Sequence, residues 1–245
     1  MPKQSEALVL RTYPFHEADL LVTLFTRSEG KVRGVARSAM RSKKRFGGSL
    51  EPLTHVLAHW HDKEKQELAR LDSFDIISSP LADAMSYPRL AALAYVAEVI
   101  DQFVPDREPN DSIFRLALAV IGQLRGEAIW MPLTYFDLWM VRLAGLLPDL
   151  TACAECGARL NGDNAYFHPR ADGLLCPRDR KLASGEVSVE SRELAAGMLR
   201  APVETFAGNP WPRGVAADLR KFLKQSMEMH VEKKLVTAAM LERIE

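Results

Sequence analysis

Three cysteines, at positions 153, 156 and 176, carry the most specific chemistry in this 245-residue chain. Cys153-Ala-Glu-Cys156-Gly157 is a knuckle: two thiolates close in sequence, followed by a glycine that allows the tight turn behind them. Gly173-Leu-Leu-Cys176-Pro-Arg-Asp179 looks like its partner, and the spacer between them fits the paired knuckles of a structural zinc site. The pattern departs from four cysteines at Asp179. Zinc accepts carboxylate oxygen, so Cys153, Cys156, Cys176 and Asp179 make a chemically sound ligand set. His168, in the middle of the spacer, is a second candidate for the fourth position, and a knuckle that keeps its shape without metal is the competing reading. A closed four-ligand site has no position for an activated water, so any zinc here is structural and not hydrolytic. No thioredoxin-like strand–helix pattern surrounds the Cys-x-x-Cys, which argues against redox use.

The second chemical feature is a run of cations. Lys31, Arg33, Arg37, Arg41, Lys43, Lys44 and Arg45 follow one another with no acidic residue between Lys31 and Arg45. The chain as a whole is balanced, with 32 basic and 32 acidic side chains, so the charge is local and any nucleic-acid affinity needs an asymmetric face. Such a run suits a phosphate backbone; a solvated basic loop is the alternative. Phe46 is a secondary candidate for a stacking face for a base, with burial in the core as the favoured role. Gly47 and Gly48 then provide a turn. His55, His59 and His61 share one face of an alternating segment, a weak metal signal. No Gly-x-Ser-x-Gly elbow, phosphate-binding loop, His-Glu-x-x-His or Gly-rich dinucleotide turn occurs, so the expectation is a non-enzyme.

The elements that must position these residues change character along the chain. Residues 6–80 read as five short strands: 7–10, Leu20–Thr26, 31–36, 53–60 and 67–77. Five strands in so short a stretch point to a small barrel of the OB type. After Pro80, Leu90, Leu93, Ala94, Ala97, Ile100 and Phe103 recur at helical spacing. Asp111 is placed to cap a second helix ending at Gly126, and Pro132 opens a third that Pro148 stops. Leu219, Phe222, Leu223, Met227 and Val231 line a last long helix whose opposite face shows Arg220, Lys221 and Lys224. The fold class is therefore α+β: an OB-fold domain at 1–80, then a helical domain at 81–245 with a zinc-ribbon-like insert at about 150–182. The odd cysteine count, the lack of a secretory apolar core and the lack of a membrane-length apolar run point to the cytoplasm.

Four features together resemble the RecO family of bacterial recombination mediators. They are the run HEADLLVTLFTRSEGKVRGVARSAMRSKKRFGGSLEP from His16 to Pro52, the strand-to-helix switch near Pro80, the CAEC and GLLC knuckles, and the C-terminal FLKQSMEMHVEKKL. The resemblance covers nearly the whole chain. It implies an OB-fold followed by a helical domain, binding of single- and double-stranded DNA, and annealing of complementary strands in the RecF pathway of repair. It also implies partnership with RecR, contact with the C-terminal tail of single-strand binding protein (SSB), an indirect role in RecA loading, and association with the nucleoid. An OB-fold RNA-binding protein and an interaction scaffold remain the alternatives. Arg115, Arg125 and Arg142, beside apolar helical stripes, are candidates for gripping an acidic-apolar tail; ordinary solvated arginines are the competing reading.

Overall fold

The computed structural model describes residues 2–62, 67–82, 85–124, 128–208 and 211–244. Five strands come first: β1 (Pro2–Pro14), β2 (Leu20–Thr26), β3 (Gly30–Ala36), β4 (His55–His61) and β5 (Ala69–Ser78). They pair in the order β1-β2-β3-β5-β4, and β4 returns to β1, so the ladder closes. Only β3 and β5 run parallel. β1 serves two neighbours: residues 2–8 pair with β4 and residues 7–14 with β2. The register slips between Val9 and Arg11, a bulge that bends the strand from one partner toward the other.

The alternation in these strands has a physical counterpart. Val9, Val22, Leu24, Val32, Val56, Ala58, Trp60 and Leu71 fill the interior. β2 reads as almost continuously apolar because both of its faces are covered: Phe25, pointing away from that interior, meets the ring of Phe114 edge-on at 5.5 Å. Gly34, which breaks the period of β3, sits where β3 runs beside β5. A Cβ there would lie 2.7 Å from the Leu71 side chain and 2.8 Å from the Ala69 carbonyl oxygen.

Between β3 and β4 the chain makes a 3-10 turn (Ala39–Arg41) and the one-turn helix α1 (Lys43–Phe46). Phe46 is 2 % exposed and packs edge-on against Phe74, with ring centroids 5.3 Å apart, so it belongs to the core. Of the two readings of Phe46, burial in the core is the one the structure bears out, and the stacking reading falls.

Helices follow: α2 (Tyr87–Phe103), α3 (Asp111–Gln123) and α4 (Trp130–Leu143). Ser86 caps α2 by accepting from the Arg89 N–H. The cap of α3 is Asn110, which accepts from the Ile113 N–H at 3.0 Å. Asp111 is the first helical residue instead, and its carboxylate pairs with Arg27 at 2.6 Å and Arg115 at 3.0 Å. Gly126 and Arg125 lie outside the described residues. The insert carries two short strands, β6 (Ala165–Phe167) and β7 (Gly185–Val187), and leads into α5 (Val189–Met198), α6 (Ala217–His230) and α7 (Ala238–Leu241). Compactness groups residues 1–127 with 236–244 as one unit and 128–235 as another. Strands give way to helices near residue 80, well before the end of the first unit.

In the first unit the C-terminal segment is held by a buried carboxylate. Glu98 of α2 accepts from the backbone N–H groups of Val236 at 2.9 Å and Thr237 at 2.7 Å, and from the Thr237 hydroxyl. In the second unit the Phe167 ring meets that of Phe222 at 5.3 Å, and Arg192 donates to the carbonyls of Leu150 and Asp163, fastening the insert. Arg220, expected on the solvent face of α6, is half-buried: its guanidinium lies over the Trp130 ring at 4.8 Å and donates to the Thr134 hydroxyl at 3.0 Å.

Candidate nucleic-acid interface and metal centre

Six of the seven cations divide into two sets. Lys31 is 8 % exposed. Its ammonium donates to the Asp101 carbonyl at 2.7 Å and lies 3.3 Å from the Asp106 carboxylate and 3.7 Å from that of Asp101. Asp101 also holds Arg11 at 3.0 Å, so Lys31 ties β3 to α2 and to the segment after it. The neighbouring Gly30 allows this close approach. Its φ is +65°, and a Cβ on it would fall 2.0 Å from the Glu108 carbonyl oxygen. Arg33 is exposed but has Asp106 within 3.7 Å. Both residues thus have carboxylate partners within the fold.

Arg37, Arg41 and Lys44 are exposed, Arg45 is half-exposed, and all four follow the end of β3. Among the described residues none of the four has a carboxylate within ion-pair distance, in contrast to Lys31 and Arg33. Arg45 is held in place: it donates to the Arg37 carbonyl at 2.6 Å and to the Ser42 hydroxyl at 3.1 Å, and its guanidinium lies 5.2 Å from the centroid of the Phe46 ring. The Lys43 side chain lies outside the described atoms. The turn is pinned from below by Asp19, which accepts from the Ser38 N–H at 2.7 Å, and by the Met40 N–H, which donates to the Ala18 carbonyl. A fixed turn whose cations have no carboxylate partner among the described residues attracts polyanions.

The cysteine prediction meets a compact cluster. The ligand atoms of Cys153, Cys156, Cys176 and Asp179 all lie within 4.8 Å of one another. The first knuckle forms because the Gly157 N–H returns to the Cys153 carbonyl at 2.9 Å with Gly157 at φ +71°. The second forms because the Asp179 N–H returns to the Cys176 carbonyl at 3.1 Å. Ala154 N–H donates to Leu174 O, and Gly173, where a Cβ would press on Pro148 and Ala154, lets the two knuckles close together. The Asp179 carboxylate lies 3.2 Å from the sulfurs of both Cys153 and Cys176, and the sulfurs of Cys156 and Cys176 are 3.8 Å apart. Tetrahedral zinc with Zn–S bonds of about 2.3 Å requires sulfur–sulfur edges of about 3.8 Å. The donor set fits that ion. His168 is not in the cluster; its Nδ1 accepts from the Arg170 N–H at 3.1 Å.

The cluster's protons are shared unevenly. The Cys156 thiol is pushed up to about 11, first by its hydrogen bond to Asp179. Burial opposes ionisation of Cys153, yet hydrogen bonds from the backbone of Cys156, Cys176 and Glu155 carry its thiol below the ordinary value. Hydrogen bonds from Cys156, Cys153 and Cys176 hold Asp179 below the usual carboxylate range. The Asp179 carboxylate thus accepts from the Cys153 and Cys176 thiols, with Cys156 beside Cys176, an arrangement a divalent cation would replace.

The three strand histidines do not converge. His55 faces Glu6 at 3.2 Å, His59 faces Asp75 at 3.2 Å and His61 faces Asp72 at 2.5 Å, each across the ladder to a separate carboxylate. Among the features that escaped the sequence reading are the helix α5 and the exposed pair Phe15 and His16 in the β1–β2 loop. The latter had a signal, an aromatic beside a histidine directly after Pro14, between two strand runs. Among the described residues no helix is long and apolar enough to cross a membrane.

Comparison with known proteins agrees with this architecture. Residues 1–80 match the family described as Recombination protein O N terminal, and residues 85–238 match Recombination protein O C terminal. The chain is 63 % identical over 245 residues, the whole of both sequences, to the DNA repair protein RecO of Koribacter versatilis. It is 33 % identical to that of Anaeromyxobacter sp. strain Fw109-5, over 97 % of this chain and 94 % of the relative. It is 29 % identical to that of Bifidobacterium adolescentis, over 98 % of each. The chain belongs to the recombination protein O family.

Proposed function

We propose that this protein is a non-catalytic mediator of DNA repair and recombination that binds single- and double-stranded DNA and anneals complementary strands. Family membership supports the role, and the observation that carries the mechanism is the unpaired cationic turn at Arg37, Arg41, Lys44 and Arg45. Annealing brings two polyanions together. A protein lowers that repulsion by neutralising phosphates, and it must then release the duplex, so several moderate backbone contacts serve better than a few base-specific ones. Lys43 joins the set by sequence, whereas Arg33 and Lys31, which have carboxylate partners, serve the fold. In this reading residues 1–80 are the DNA-binding module and residues 81–245 the partner module.

A structural zinc held by Cys153, Cys156, Cys176 and Asp179 would stiffen the insert, and the chemistry it supplies is cross-linking of the two knuckles. RecR and the SSB tail are the proposed partners, with RecA loading as the outcome. Of the arginines suited to an acidic tail, Arg115 is already paired with Asp111, and Arg142 lies over the Trp139 ring at 5.7 Å. The deciding experiment is annealing of complementary oligonucleotides by the full-length protein, with and without prebound SSB. Acceleration on naked strands that persists on SSB-coated strands is expected. No acceleration in either arm overturns the reading.

A further inference from the structure

Phe46, the weaker candidate for meeting a base, is buried in the core. A different aromatic is exposed beside the same cations. Phe15 is 43 % exposed in the β1–β2 loop, with its ring 4.3 Å from that of His16. The loop is closed by the Phe15 N–H, which donates to the Asp19 carbonyl at 3.0 Å, so the ring is presented by an ordered turn. Phe15 and His16 form one wall of a cleft of about 430 Å³, with Arg37, Arg70 and Leu68 among the other lining residues. This volume is in the range of small-ligand sites.

We propose that this cleft receives one unpaired base of a single-stranded nucleic acid, stacked on Phe15, while the phosphates of the same strand run over the Arg37–Arg45 turn. The proposal rests on the nucleic-acid reading above. Two observations support it. First, Arg37 belongs both to the cleft wall and to the cationic turn, so a strand following the turn passes the cleft mouth. Second, the cleft lining carries both signs in equal number: Arg37 and Arg70 with Asp19 and Glu67, Asp19 being held by Ser38 and Arg70 having Asp72 at 3.3 Å. A neutral surface with an exposed ring suits an uncharged base, whereas the unpaired turn suits phosphate. Every base has a π-face, so such a site is tolerant of sequence. A base inside a duplex already has both faces stacked and cannot enter, so the cleft discriminates between single and double strands.

The test compares full-length wild type, Phe15→Leu and Phe15→Tyr for binding to a short single strand, to an abasic strand of equal length and to a duplex. Phe15→Leu removes the ring but keeps an apolar side chain at a half-exposed position, and thermal melting checks that each variant is folded. Wild type is expected to prefer the base-bearing strand over the abasic one by roughly tenfold, the stacking contribution of about one base. Phe15→Leu should erase that preference, with duplex affinity and salt dependence unchanged, and Phe15→Tyr should keep it. A preference that persists in Phe15→Leu overturns the cleft assignment alone, because wild-type binding in the same experiment leaves the DNA reading standing. Wild type that binds none of the three overturns both.

Discussion

Reversing Arg41 and Lys44 to glutamate separates a cationic interface from a solvated loop. Four cations of the run, Arg37, Arg41, Lys44 and Arg45, have no carboxylate partner among the described residues, while Lys31 and Arg33 do. If those four touch single-stranded phosphates, each contact contributes about −0.7 to the log–log salt slope, for a total of roughly −3. Raising salt from about 50 to 200 mM should then weaken wild-type binding by roughly 50-fold. With Arg41 and Lys44 reversed, two contacts remain, the slope falls to about −1.4, and the same salt step costs only about sevenfold. Both side chains are exposed and neither carries an ion pair among the described residues, so folding should be undisturbed. Fluorescence anisotropy across a salt series measures the slope directly. Lys31→Gln is the control. Losing its charge-assisted contacts to Asp101 and Asp106 should lower unfolding free energy by about 2 kcal/mol while the salt slope stays near the wild-type value. An unchanged slope in the double reversal, or a slope lost in Lys31→Gln with the fold intact, would refute the division of the run.

Protein purified without chelator should contain one zinc per chain by elemental analysis. Cys176→Ala should abolish it, His168→Ala should leave it, and Asp179→Cys should tighten it by completing a four-thiolate site; wild type without stoichiometric zinc would refute the metal claim and leave the interface untouched. His55 is held below its ordinary value of 6.5, chiefly by burial, although Glu6 pulls the other way. A histidine with a depressed folded-state pKa contributes stability that is full above its unfolded value and is lost as pH falls through the folded one. Denaturant midpoints should therefore drop from pH 7 toward pH 5, less steeply in His55→Gln, and equal slopes would exclude His55 as the cause. Glu98→Ala should expose residues 236–244 to protease and destabilise the first unit by about 2 kcal/mol, since three hydrogen bonds to a buried carboxylate are lost; an unchanged cleavage pattern would show that the apolar contacts of α7 suffice.

Local pattern determined a good deal. The apolar run at 20–26 and the alternation at 53–60 were enough to place strands, helical stripes placed α2, α3, α4 and α6, and the spacing of Cys153, Cys156, Cys176 and Asp179 was enough to place a ligand cluster. These signals depend on neighbours in sequence, because period and knuckle geometry are set within a few residues. Residue identity alone could not rank the cations. Lys31 and Arg41 look alike in the chain, and only the return of Asp101, 70 residues later, makes one a buried anchor. Phe15 and Phe46 likewise differ only in exposure, since Phe46 is buried against Phe74 by the way the β3–β4 connection folds. Asp111 and Asn110 compete for one cap, and the contact from Arg27, brought close by the fold, engages the aspartate. Charge and aromaticity are properties of a residue, but exposure and pairing belong to segments distant in sequence, so tertiary structure alone assigns them.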